Sequence, residues 1–476
     1  MLRTLARSIR ADTTRFSAVQ EISPTSRPPL FMPDFTMEST RARKRIRCSL
    51  PAVLMRAGTS KGLFVHRHNL PASESEWANP LLAAMGSQGS DVRQIDGVGG
   101  ATSTTSKVAV IAPSNRVGID VEYTFVQVAV GQESVDFSGN CGNMCSGVGP
   151  FALQEGLVHA KPGQRTLDVR IFNTNTSRVI IDTIQIDEYG SFEEGGSYSI
   201  PGVKGTGSEI KVAFVDPAGS MTGSLFPTRN RSDSLGVKDR NGSFFSVKAT
   251  LIDAANPFVI VDENTLPLHL RNCTKKDSPN YLDDMEAIRR AGAVAMGLAS
   301  STDAAAKVRG TPKLAVVSIT TQYERRKESG DKRIKVLAFS MGKPHPSLQL
   351  TGAACLAAAV CVPGTVAHGL ATGNKTWRQQ IDTPERSPSP VLSSPEDISS
   401  SSGSSSSILP SSPSSGAFSS PLLPAEETVC IEHASGEIDV GVRAASAGDV
   451  AIVERCVVSR TARRLFEGKV FYYTNA

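Results

Sequence analysis

A chain of 476 residues, 39% of them hydrophobic, has room for two or three cored domains, and its net charge of +5, with much of the excess base in the first 47 residues, gives the body no general basic surface for nucleic acid. Eight cysteines without CxxC pairs or a secretory leader argue for reduced thiols in an intracellular compartment rather than a disulfide framework. No apolar run approaches the ~18–20 residues needed to span a bilayer, so no membrane partner is expected.

At the start of the chain, Leu2, Leu5, Ala6 and Ile9 share one helical face with Arg3, Arg7 and Arg10 around it, the pattern of a mitochondrial transit peptide. The later cluster Arg41, Arg43, Lys44, Arg45 and Arg47 reads as a solvated basic arm, and a start at Met32 or Met37 removes the leader. Residues 1–47 are therefore expected to form a disordered basic arm, with mitochondrial and cytoplasmic locations both open. Strands follow at Ala52–Leu54 and Leu63–Val65. From Gln94 to Lys107 glycines and hydroxyls precede a single lysine and the strand Val108–Ile111. Such a loop lets backbone amides approach an anion, and the lysine adds a point charge or a base; the alternative is a solvated loop. It lacks the Gly-Lys-Ser/Thr order of a Walker A motif.

After a strand at Val121–Val130 comes Ser138-Gly139-Asn140-Cys141-Gly142-Asn143-Met144-Cys145-Ser146-Gly147, a thiol among glycines and asparagines ahead of the apolar Val148, Phe151, Ala152 and Leu153. The spacing predicts a helix over Met144–Leu157 with Cys141 at its start. Free N–H groups and the dipole there favour a thiolate or a bound carboxylate; the alternative is a small buried packing residue. A second round of strands is expected at Lys248–Asp253, Phe258–Val261, Leu314–Ser318 and Ile334–Phe339. Its helices are Gly352–Cys361 and an amphipathic Asp283–Gly297, with Met285, Ile288, Ala291 and Val294 on one side. Residues 382–427, with the run Ser399–Ser407 and several prolines, cannot bury enough apolar surface to offset their ordering entropy and are expected to form a disordered insertion. The core resumes at Val429–His433.

With these segments in view, the chain resembles the PrpF family of 2-methylaconitate isomerases, which is related to aconitate and methylitaconate Δ-isomerases and, more distantly, to diaminopimelate epimerase. The resemblance is carried by Met55–Gly62, Asp96–Lys107, Cys141-Gly142-Asn143, Ile171–Thr176, Val215–Ser220 and Asp253–Pro257. Near the C-terminus it continues through His345-Pro346, Thr351-Gly352-Ala353, Glu432–Gly436 and Arg460–Arg464. These blocks keep the family's order from about residue 48 to the end, which is more specific than any one of them.

The resemblance implies an α/β fold of two pseudo-symmetric halves, each a sheet wrapped round a central helix, with the active site in the cleft between them. The halves would be residues 48–215 with a terminal strand at 464–476, and residues 216–463. It implies a cofactor-independent and metal-free isomerase, with Lys107 and Cys141 as the acid/base pair. Arg56, Thr59, Ser60, Gly99, Gly100, Ser106, Gly142, Asn143, Thr351, Gly352, His433, Ser435, Gly436 and Arg460 are its substrate-binding candidates; Arg56 and Arg460 read equally as structural ion pairs. One departure from the epimerases is the absence of a second catalytic cysteine: Ser347-Leu348-Gln349-Leu350 occupies its place, and Cys355 falls at a packing position with Cys361. Cys145 reads as packing, and His345, His368 and His433 are too scattered for metal ligands. The expected reaction is a double-bond shift by allylic proton transfer in an aconitate-type tricarboxylate, 2-methylaconitate or cis/trans-aconitate. A tailoring isomerase for itaconate- or alkylcitrate-type products, or a non-catalytic accessory of an aconitase-like dehydratase, stands as the alternative. The resemblance leaves room for a homodimer.

Overall fold

The computed structural model describes residues 45–320, 332–373, 425–447 and 450–475. Residues 1–44 of the expected arm and 382–424 of the Ser/Pro-rich segment lie outside the described residues. Arg45 and Arg47, the last members of the basic cluster, already belong to a strand, where their guanidinium groups lie 4.8 and 4.2 Å over the rings of Tyr473 and Phe471.

The first series of elements is β1 (Arg45–Ala57), β2 (Ser60–His66), α1 (Ala78–Met85), β3 (Lys107–Pro113), β4 (Val121–Val128), β5 (Val135–Asp136), α2 (Gly142–Cys145), α3 (Val148–Gln154), β6 (Thr166–Asn173), β7 (Arg178–Gln185) and β8 (Ile210–Val215). The second is β9 (Asp233–Lys238), β10 (Phe244–Asp253), β11 (Pro257–Asp262), α4 (Leu268–Arg271), α5 (Pro279–Ala295), α6 (Thr302–Lys307), β12 (Lys313–Ser318), β13 (Lys332–Ser340), β14 (Lys343–Pro344), α7 (Leu350–Cys361), α8 (Val366–Thr372), β15 (Glu427–His433), β16 (Gly436–Ala447) and β17 (Val450–Arg460). β18 (Ala462–Asn475) then returns to pair antiparallel with β1.

Pairing runs β18-β1-β2-β3-β4-β6-β7-β8 in one half, antiparallel except for the parallel pairs β2–β3 and β4–β6. The other half runs β9-β10-β11-β12-β13-β15-β16-β17 with the same alternation, parallel only at β11–β12 and β13–β15. β5 adds to β4 and β14 to β13 at matching places, and β8 joins β17. The two halves therefore share one topology, in which β3 corresponds to β12 and the start of α2 to the start of α7.

The second half wraps its core helix because that helix is buried all round and almost wholly apolar. α7 is buried from Leu350 to Val360, its alanines letting neighbouring strands approach closely. β11 is buried on both faces: Phe258 and Ile260 join the core around α7, while Val259 and Val261 join Met285 and Ile288 of α5. The first half differs from the expected single helix over Met144–Leu157. Ser146 and Gly147 interrupt it, leaving a one-turn α2 and a separate α3. Pro150 has no N–H to return to the Ser146 carbonyl, Gly149 donates instead to Asp182 at 3.0 Å, and a Cβ on Gly147 would lie 2.6 Å from Phe64 Cζ.

Candidate active site

Lys107 opens β3 at the end of a loop organised by one buried glutamine. Gln94 Oε1 accepts from Ala101 N at 2.8 Å and from Ser106 Oγ at 2.6 Å, while its Nε2 donates to Ser87 Oγ at 2.8 Å. Gly99 packs on Gln94 and Gly100 on Thr105, so closely that a Cβ on either would overlap them. Gly99, Gly100 and Ser106 thus shape the loop, and Ser103 and Thr104 are the loop residues that face the cleft. The Lys107 ammonium is aimed by its neighbours on β4: it donates to Gln127 Oε1 at 2.6 Å and lies 4.9 Å over the Phe125 ring. Gln127 has no freedom to turn away, because its Nε2 donates to the carbonyls of Ser106 and Val128.

Cys141 is the N-cap of α2, in extended backbone with no side-chain bond to the helix. Its carbonyl accepts from Cys145 N at 2.9 Å and from Tyr123 Oη at 3.3 Å, which fixes the backbone and leaves the thiol to the cleft. The starts of α2 and α7 abut, since a Cβ on Gly142 would come within 2.8 Å of Leu350 Cβ. Between them lies a cavity whose lining includes Ser60, Lys107, Cys141, Asn143, Lys313 and Thr351. Four buried polar atoms at this cavity have no hydrogen-bond partner among the described residues: Ser60 Oγ, Asn140 Oδ1, Gln349 Oε1 and Thr351 Oγ1. Buried polar groups are normally paired, so their arrangement suits a polar ligand. The α7 amides left free in the first turn add donors and positive potential; at α2 the single turn restricts that contribution.

Two residues at this cavity stand outside the expected site set: His345, noted within the His345-Pro346 block without a role, and Lys313. His345 accepts a hydrogen bond at Nδ1 from Ser347 N at 3.1 Å, which puts the ring proton on Nε2. Burial, with Lys107 and Lys313 close by, pushes its pKa down to about 3, so it is a neutral donor. Lys313 opens β12, and burial lowers its ammonium to about 8.

Of the other candidates, Gly142 and Asn143 line the cavity with Thr351 and Ser60, whereas Gly352 packs on Phe258 inside α7. Arg460 is buried and donates to Asn143 Oδ1 at 3.1 Å, and Asn143 Nδ2 reaches Thr59 Oγ1 at 3.2 Å; this chain holds Asn143 from behind. Burial lowers Arg460 to about 10. Arg56 donates to the carbonyls of Gly58 and Thr461 and to Thr461 Oγ1, tying the β1–β2 turn to the start of β18 away from the cavity. His433, lowered to about 4 by burial and Arg460, accepts at Nδ1 from Ser435 N at 3.2 Å. Ser435 Oγ donates to the Pro346 carbonyl, and Gly436 opens β16 opposite His433 after the two-residue hairpin turn. None of these three lines the cavity.

A family model described as PrpF protein matches residues 47–387. The chain belongs to the PrpF family. Among relatives of this PrpF-family chain, the 2-methyl-aconitate isomerase of Cupriavidus necator is 35% identical over 343 residues, covering 68% of this chain and 85% of that one. The 3-methylitaconate isomerase of Eubacterium barkeri is 32% identical and covers 89% of this chain and 97% of its own. The 4-oxalomesaconate tautomerase of Pseudomonas putida is 32% identical, covering 88% and 95%. A crystal structure of methylitaconate-delta-isomerase matches with a TM-score of 0.59 and 29% identity over 90% of this chain and 96% of that one. This PrpF-family protein is an isomerase with a two-halved α/β fold.

Proposed function

We propose that this isomerase moves a carbon–carbon double bond by allylic proton transfer in an aconitate-type tricarboxylate, 2-methylaconitate or aconitate itself, without a cofactor. The observation that carries the reading is the single cavity that gathers Lys107, Cys141 and the amide end of α7. Its relatives are named for 2-methylaconitate, 3-methylitaconate and 4-oxalomesaconate, all unsaturated polycarboxylates. In the reaction, one member of the Lys107–Cys141 pair removes a proton from the carbon next to the double bond. The electron pair spreads through the double bond into the conjugated carboxylate as an enolate, and the partner returns a proton at the far carbon. One C–H bond breaks, one forms, and no electrons leave the substrate.

The supporting residues have matching roles. Gln127 aims the Lys107 ammonium, the α7 N-terminus and Thr351 Oγ1 receive carboxylate charge, and neutral His345 donates from Nε2. The test is a panel of cis- and trans-aconitate and their 2-methyl analogues with wild type, K107A and C141S. Each variant is expected to fold and to lose ~10²–10⁴ in kcat, with C141S still binding substrate. Near-wild-type kcat in either variant on every substrate removes that residue from the mechanism.

A further inference from the structure

Lys313 stands in the second half where Lys107 stands in the first. β3 and β12 are both the fourth strand from the outer edge of their half, parallel to the third and antiparallel to the fifth. Both open with a lysine, opposite Gly62 on β2 and opposite Phe258 on β11. The N-caps correspond as well: Cys141 follows β5, and Gln349 follows β14, each by five residues. The second half therefore keeps the lysine and lacks the thiol.

The two lysines differ in what holds them. Lys107 is tied to Gln127, but β12 pairs with β13 from Leu314 opposite Phe339 onward, which makes Ser340 the next residue in register with Lys313, and the Lys313 ammonium has no hydrogen bond or ion pair among the described residues. It lies 6.0 Å from the centroid of the Phe258 ring. Asp136, the carboxylate at the cavity, has its oxygens engaged by the amides of Ser138 and Gly310 at 2.7 and 2.9 Å. Cys141, Lys107, Asp136 and Cys355 are the groups whose charge acts on Lys313, with His345 alongside. Behind it, a second pocket brings Glu286, Arg289 and Arg309 to the same lysine, but Glu286 is already paired with Arg289 and Arg290. Lys313 is half-buried on the cavity wall, and a partly desolvated ammonium with no protein carboxylate paired to it is placed to take its partner from a bound ligand.

We infer that Lys313 is a catalytic residue, the cation that binds the substrate carboxylate conjugated to the migrating double bond and neutralises it as it becomes an enolate. This rests on the tricarboxylate reading above. A fixed cation there gains strength as the charge grows in the transition state, and no proton transfer is asked of it. Free Lys313, lowered to about 8, takes up a proton when an anion binds.

The experiment is calorimetric titration of the full chain at pH 8 with tricarballylate, a saturated tricarboxylate that cannot isomerise, in phosphate and in Tris. Wild type is expected to bind with fractional proton uptake. K313M should bind about 10-fold or more weakly without uptake, and K313R should retain affinity without uptake, because arginine stays charged. If K313M fails to fold, as read by thermal melting, loss of uptake in K313R decides alone. Equal affinity and equal uptake in wild type and variants, or no binding of tricarballylate by wild type, overturns the inference. A parallel kcat measurement keeps the two readings apart: binding with uptake but no aconitate turnover defeats the isomerisation substrate alone, whereas turnover by K313M at the wild-type rate defeats the role of Lys313 alone.

Discussion

Residue chemistry in this protein is set by what each side chain is denied as much as by what it touches. His345 and His433 are buried, and both stay neutral well below the ordinary histidine range, near 3 and near 4. In the unfolded chain each would titrate near 6.5. As pH falls below that value the unfolded state takes up protons that the native state refuses, so stability declines with acid; above it these groups add no slope. The loss per histidine is at most about 1.4 kcal/mol per pH unit. Urea melts at pH 7, 6 and 5 should therefore show falling stability, and H345N should flatten part of the decline; an unchanged slope in that variant would mean His345 is protonated in the native state. Lys107 and Cys141 were legible from sequence because each sits in a glycine-rich run with local character. Lys313 was not, since Thr311-Pro312-Lys313-Leu314 resembles any strand entry and its meaning comes only from the strand it opens; His345 stood out only as part of the His345-Pro346 block, without a role.

At the level of elements, periodicity marks the long pieces and misses the short ones. α7 announces itself by an apolar run from Leu350 to Val360, and α5 by an apolar stripe. β5 and β14 are two residues each and have no periodicity to show, yet both position the chain for a helix start. The break between α2 and α3 was hidden because Gly147 and Pro150 sit inside an otherwise helical apolar pattern. Where the two helix starts meet, space is the controlling quantity: G142A would set a methyl group 2.8 Å from Leu350 Cβ. Overpacking of this kind costs about 1–3 kcal/mol. The expected result is a lower Tm and a kcat reduced about 10-fold or more as the cavity walls separate. A variant with wild-type kcat and Tm would show that the contact has no bearing on the site.

For the whole molecule, the repeated strand order explains why the site lies between halves: each half brings one lysine-led strand and one helix start, and the cavity needs both. The resemblance disclosed the halves, but their equivalence is not visible residue by residue, because Gln349 answers Cys141 and Ser340 answers Gln127. Chain between β13 and β15 is also where the Ser/Pro-rich segment falls, and β15, which follows it in sequence, pairs with β13 in parallel register. Its composition offers no core residues, and loop closure grows costly only slowly with length. Replacing residues 382–424 by a short Gly/Ser linker should leave kcat and Tm nearly unchanged; a Tm lowered by several degrees would mean that the segment packs on the body.

The central claim is cofactor-free proton transfer between two carbons of one substrate. It is tested most directly by incubating the EDTA-dialysed protein with 2-methylaconitate and with aconitate in D2O and following each by proton NMR. The account predicts conversion to a double-bond isomer in at least one case, with deuterium entering at the reprotonated carbon, and no conversion by K107A. Conversion restored only by an added metal ion, or the same conversion by K107A, would contradict it.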